Sequence, residues 1–185
     1  MQARQEITIQ GLPNVKVQSD EQKKYAICWD KSGNVGTFWK YQASLLEYEQ
    51  ELKGVESGAK SKEDALEKLR KGIVSGMTHG KHFVISVDKY KPQLKGETFK
   101  GSADVSVDTV FNYEEFHKEE VNKMIATEGE NVNQMGDEGQ FFMMASFSMC
   151  FLAKYTSDED CQALLDAIPH SDQMLQFVIS WRYFN

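Results

Sequence analysis

Apolar and polar positions alternate in blocks along the chain, and the blocks change period. Tyr25-Ala26-Ile27-Cys28-Trp29 is an unbroken apolar run that ends at Asp30, the pattern of a strand buried on both faces. Ser32-Gly33-Asn34-Val35-Gly36-Thr37 follows as a turn, and Leu45, Leu46 and Leu52 predict a helix reaching about Lys53, before a flexible 54–60. Ser61 stands three residues ahead of Asp64 as a capping signature, and Ala65, Leu66, Leu69, Ile73 and Met77 recur at helical spacing up to a stop at Gly80. His82 to Val87 is a second buried strand, closed by Asp88. The stretch 89–109, with Pro92, Gly96 and Gly101, reads as a connection or edge excursion.

Asn112 and Glu115 form an N-cap pair flanked by Phe111 and Phe116 at staple positions, which predicts a helix to about Ile125. A polar loop over 128–139 precedes an aromatic and Met-rich segment, divided here into a short strand at 141–144 and a buried strand at 147–153. Met143, Met144 and Met149 read as core, and also as filling for an adaptable partner surface. Ser157 caps a short helix stopped by Pro169, and Leu175 to Trp181 forms the last strand. Strands separated by helical segments of about a dozen residues predict an α/β fold with a mostly parallel sheet flanked by helices. Its core is expected to rest on Ile27, Phe83, Ile85, Met149, Phe151 and Ile179.

The 185 residues fit one domain, expected over 23–181, with a polar N-terminal arm over 1–22 and a tail over 182–185. In the arm, Ile7, Ile9, Leu12 and Val15 alternate with polar residues, as a strand added to a partner's sheet edge would. Trp181, Tyr183 and Phe184 are of the types enriched at interfaces. With 21 basic against 28 acidic residues the net charge is −7, which argues against nucleic acid or an anionic membrane surface as a partner. No window approaches the ~20 apolar residues of a membrane span. Three cysteines, Cys28, Cys150 and Cys161, cannot close a complete intrachain disulfide set, and a reduced cytoplasmic setting is expected.

Candidate chemistry concentrates at two strand ends, because ligands of parallel sheets sit beyond the carboxyl ends of the strands. The turn after the first strand has the position of a phosphate-binding loop without its chemistry: Gly33 and Gly36 are three apart, and Phe38 and Trp39 follow Thr37 where a Lys-Ser/Thr pair is needed. Asp88 has the place of an aspartate that holds a Mg²⁺-bound water, but Lys89 follows it and cannot act as a base at neutral pH. Asp30 reads equally well as a turn-starting aspartate. His79, His82, His117 and His170 share no face suited to a metal, and no Cys/His pairing supports a nucleophilic thiol. Glu114, Glu115, Glu119 and Glu120 read as a solvated face, or as a docking surface.

Four segments, ICWDKSGNVGTFWKY, ALEKLRKGIVSGMTHGKHFVISVDKYKPQL, VFNYEEFHKEEVNKMI and FSMCFLAKYTSDEDCQALLDAIPHSDQMLQFVIS, give the chain a resemblance over 24–180. It resembles a degenerate AAA+ module, P-loop NTPase-like, of the dynein heavy chain module-five type, and the C-terminal domain of proteins with an IQ motif and ankyrin repeats. Neither an IQ motif nor an ankyrin repeat is visible in this sequence, so it reads as a fragment or as a stand-alone module. The resemblance implies a P-loop-like core in which Asp30, Gly33, Gly36, Thr37 and Asp88 are vestiges of a nucleotide crevice. The catalytic positions depart from the family's pattern: the Lys-Ser/Thr pair is missing, Lys89 stands for a Glu, and the sensor strand ends in Ala153-Lys154. The implied function is a non-catalytic scaffold docking to proteins of a cytoskeletal assembly, in the cytoplasm and the axoneme of a cilium or flagellum, with no cofactor. The alternative is a weak ATP- or GTP-binding switch, or an ATPase module, using Mg²⁺.

Overall fold

A computed structural model describes residues 4–133 and 135–181. In chain order the elements are β1 (Gln5–Thr8), α1 (Pro13–Gln22), β2 (Ala26–Asp30), α2 (Val35–Gln42), β3 (Ser44–Glu47), α3 (Tyr48–Glu56), α4 (Lys62–His79) and β4 (His82–Asp88). There follow β5 (Thr98–Lys100), β6 (Asp104–Ser106), α5 (Val107–Phe111), α6 (Tyr113–Phe116), α7 (Glu119–Asn122), β7 (Ser148–Lys154), α8 (Asp158–Ala167) and β8 (Leu175–Ser180). Six strands form one sheet in the order β1-β8-β2-β7-β4-β3, every neighbouring pair parallel, while β5 and β6 make a separate antiparallel hairpin. The fold is α/β, as the alternation of elements predicts.

Both faces of the sheet are covered, which is why the central strands read as continuous apolar runs. Ile27, Phe83, Ile85, Met149 and Phe151 point to one face and pack with Leu69, Ile73 and Met77 of α4 and Leu164 of α8. Ala26, Cys28, Val84, Cys150 and Ile179 point to the other, under Leu12, Val15 of α1 and Trp39 of α2. All six expected core residues are fully buried, and Cys28, Cys150 and Cys161 are free thiols within the core. Helix α4 is built as its sequence states: Ser61 Oγ accepts from the Asp64 N–H at 3.0 Å, and Gly80 ends it in the left-handed region at φ 60°. On its inner side a Cβ at Gly72 would lie 2.5 Å from the Phe83 ring, so glycine there lets the helix lie directly on β4.

The residues read as an arm are part of the sheet. β1 runs parallel to β8 with Ile7 opposite Ile179, while Leu12, Val15 and Ser19 are buried beneath the second face. The alternation of Ile7 and Ile9 therefore serves this chain's own edge, and Leu12, fully buried, offers nothing to a partner. Leu45 and Leu46 lie in β3, an edge strand paired with β4, where a helix was expected; the apolar pair is too short to hold a 3.6-residue period and satisfies the β4 edge instead.

The helix expected from Asn112 to Ile125 breaks into pieces. Its cap is real, since Asn112 Oδ1 accepts from the Glu115 N–H at 3.1 Å, but α6 ends at Phe116. Between the buried Phe116 and Ile125 the helical-face positions are Glu119 and Glu120, so no apolar stripe exists to hold a longer helix down. Residues 141–144 pair with no strand; the Met144 N–H donates instead to the Met77 carbonyl at the end of α4, at 3.0 Å. Among the described residues no helix is long and apolar enough to cross a membrane.

Candidate functional site

β2 and β7 lie side by side, yet their outgoing connections part: α2 leads across one face toward β3 at the far edge, and α8 leads across the other toward β8. Such a divergence opens a crevice at the carboxyl ends of the two strands. Here it has a volume of about 470 Å³ and is lined by Asp30, Ser32, Gly33, Gly36, Glu49, Ser86, Asp88 and Tyr155 among others. Of the expected site residues, Asp30, Gly33, Gly36 and Asp88 thus meet, although they come from two strand ends some sixty residues apart (88 − 30 = 58). Thr37 is exposed on α2 and does not line the crevice.

The loop after β2 is organised around the carboxylate that ends the strand. Asp30 Oδ1 accepts from the Ser32 N–H at 2.7 Å, the Ser32 hydroxyl at 2.7 Å and the Gly33 N–H at 2.9 Å, while Oδ2 accepts from the Val35 N–H at 3.2 Å. Of these backbone donors, the Val35 N–H opens α2, where an anion would bind at a helix N-terminus, and those of Ser32 and Gly33 belong to the loop leading into it. The protein's own side chain already occupies them. Gly33 is needed for the turn, at φ 75°, whereas Gly36 is not forced by space, since a Cβ there meets Leu152 only at an ordinary 3.8 Å.

The loop is also held from outside. Trp181 Nε1, just past β8, donates to the Ser32 carbonyl at 2.9 Å, so this half-exposed residue of the expected interface set braces the loop. Tyr183 and Phe184 lie outside the described residues. The Lys31 ammonium sits 4.0 Å over the Tyr155 ring, and the Tyr155 hydroxyl donates to Asp158 at 3.0 Å. Asp158 also pairs with Arg4 at 2.5 Å, and the hydrogen bonds from Tyr155 and Arg4 hold its carboxyl below the usual range. Lys31, the one cation in the loop, thus lies over the aromatic ring of Tyr155 just past β7, and both residues line the crevice.

Asp88 adopts a left-handed conformation, φ 51°, after an irregularity in the β4–β7 ladder at Ser86. Next to it stands Glu49 of α3, whose carboxyl is raised by burial against the pull of hydrogen bonds from its own N–H and from Ser86, with the charges of Glu47 and Asp88 adding to the rise. Three carboxylates, Asp30, Glu49 and Asp88, thus share the crevice with two lysines, Lys31 and Lys154, and burial and repulsion raise the Glu49 carboxyl within it. Among the described residues no three His, Cys, Asp or Glu side chains converge to hold a metal ion. Glu49 and Tyr155 were not legible as site residues, because each reaches the crevice by tertiary packing from a segment without a motif.

No family model, no curated protein and no solved structure matches this chain.

Proposed function

We propose that the chain is a non-catalytic α/β docking module, with a nucleotide-type crevice that its own Asp30 keeps closed. The observation that carries this reading is the set of four hydrogen bonds from Ser32, Gly33 and Val35 to the Asp30 carboxylate. An incoming phosphate would have to displace a covalently tethered anion that is already oriented, and it would meet Asp30, Glu49 and Asp88, while Lys31, one of the two lysines lining the crevice, is held over the Tyr155 ring. The degenerate AAA+ resemblance supports the same reading, and with it partners among the proteins of a cytoskeletal assembly, the ciliary axoneme being the implied setting. No catalytic residue is assigned. Titration with Mg-ATP and Mg-GTP tests the reading, since a weak nucleotide-binding switch would saturate and a closed crevice would not.

A further inference from the structure

Beside the crevice, between α3, α4 and the chain leaving β4, the surface opens into a groove of about 660 Å³. Its floor is Tyr48, Leu66 and Leu94, all buried, and its sides include the half-buried Leu52, Val55 and Tyr90. The sequence places these apolar residues on three separate segments, and the space between them is open. Lysines stand around the apolar floor: Lys62, Lys89 and Lys91 line the groove, and the Lys53 ammonium is 5.8 Å from the Tyr90 ring. Lys62 and Lys91 reach outward to Glu97 at 2.6 Å and Asp160 at 3.1 Å. Lys53 and Lys89 are exposed and have no carboxylate partner among the described residues, and Glu56 is the single acid in the lining. On a chain of net charge −7, two lysines without a carboxylate partner thus stand beside an apolar slot whose floor also feels Glu51 and Glu97.

We infer that the groove receives an acidic segment of a partner protein, with one bulky apolar side chain of that segment seated on Tyr48, Leu66 and Leu94. The slot size is within the ~300 to 1,000 Å³ of built binding sites. A groove between helices is the form in which an extended or helical peptide lays down an apolar anchor. Charge selects the flanks: carboxylates on either side of the anchor meet Lys53 and Lys89, while a basic segment is refused. This inference rests on the docking reading above and names the chemistry of the partner.

The test selects peptides of about a dozen residues from a random displayed library against the full chain, then measures each winner by fluorescence anisotropy. Expected winners carry Asp or Glu on both sides of Leu, Phe or Met, weaken as salt rises, and bind a Lys53→Glu/Lys89→Glu variant about tenfold or more less tightly. Both lysines are exposed, so the variant keeps its fold, checked by circular dichroism. Selection of basic sequences, no enrichment, or equal binding by the variant overturns the inference. Decanoate that binds where no peptide is selected assigns the slot to a small apolar acid, and overturns it as well. Nucleotide bound at the Asp30 crevice would defeat the docking reading by a separate signal, whereas an empty crevice with failed selection defeats the groove alone.

Discussion

Replacing Asp30 with alanine should both weaken the fold and open the crevice to anions. The substitution removes the acceptor for three backbone N–H groups and one hydroxyl. Each of the four lost hydrogen bonds is worth about 0.5 to 1 kcal/mol at most, because Gly33 is exposed and water replaces part of what is lost. A total near 2 to 3 kcal/mol lowers the melting temperature of a chain this long by about 5 to 10 °C. The freed N–H groups then form an unoccupied anion site at the start of α2. About 10 mM inorganic phosphate, compared with chloride at equal ionic strength, should raise the melting temperature of Asp30→Ala by about 3 °C beyond its effect on the parent chain. The parent sets the baseline, since phosphate strengthens burial generally. Asp30→Asn, which keeps an acceptor, should retain most of the stability. An equal phosphate response in parent and Asp30→Ala, or a loss below about 0.5 kcal/mol, would refute the idea that Asp30 stands in the anion's place.

Two further outcomes follow from groups the fold buries. Arg70, fully buried on α4, bonds Glu67, Glu130 and the Ile125 carbonyl, and so ties 123–130 to the helix; Arg70→Ala should cost about 3 to 5 kcal/mol in urea unfolding and speed hydrogen exchange in that segment, and a loss under about 1 kcal/mol would contradict it. Burial, with the Lys16 charge adding to it, brings the His82 ring down to about 3, so the unfolded chain, titrating near 6.5, takes up the proton first as pH falls. The stability that neutral His82 contributes is therefore complete above pH 6.5 and lost toward pH 3, about 1.4 kcal/mol per unit in between, so that about 2 kcal/mol is gone by pH 5. A His82→Phe variant should lack that part of the slope when urea midpoints at pH 7.5 and 5 are compared, and an unchanged slope would show the ring is not the group responsible.

The parallel core was legible because its strands are buried on both faces. Tyr25 to Trp29, His82 to Val87 and the run after Phe147 carry their burial as unbroken apolar residues, and the Ser61 and Gly80 signals bound α4 to within a residue. Edge elements were not legible in the same way. β1 and β3 are four residues long and half-buried, so their sequence carries too few positions to separate a strand from an arm or a helix. The segment around Asn112 shows the opposite error: a genuine cap starts a helix, but only a continuous apolar stripe keeps it going, and Glu119 and Glu120 interrupt it. Within the crevice, Asp30, Gly33 and Asp88 could be placed because strand ends have a fixed meaning in an α/β sheet. The role of Asp30 as the acceptor for its own loop lies in side-chain geometry, and the brace from Trp181 depends on β8 lying next to β2.

Isothermal titration of the full chain with Mg-ATP, and separately with Mg-GTP, up to about 1 mM tests the central claim most directly. A crevice closed by Asp30 predicts no saturable heat for either nucleotide, together with binding of phosphate by Asp30→Ala and not by the parent chain. Saturable binding of either nucleotide to the parent chain, abolished by substitution at Gly33 or Asp88, would contradict the account and identify the crevice as a working nucleotide site.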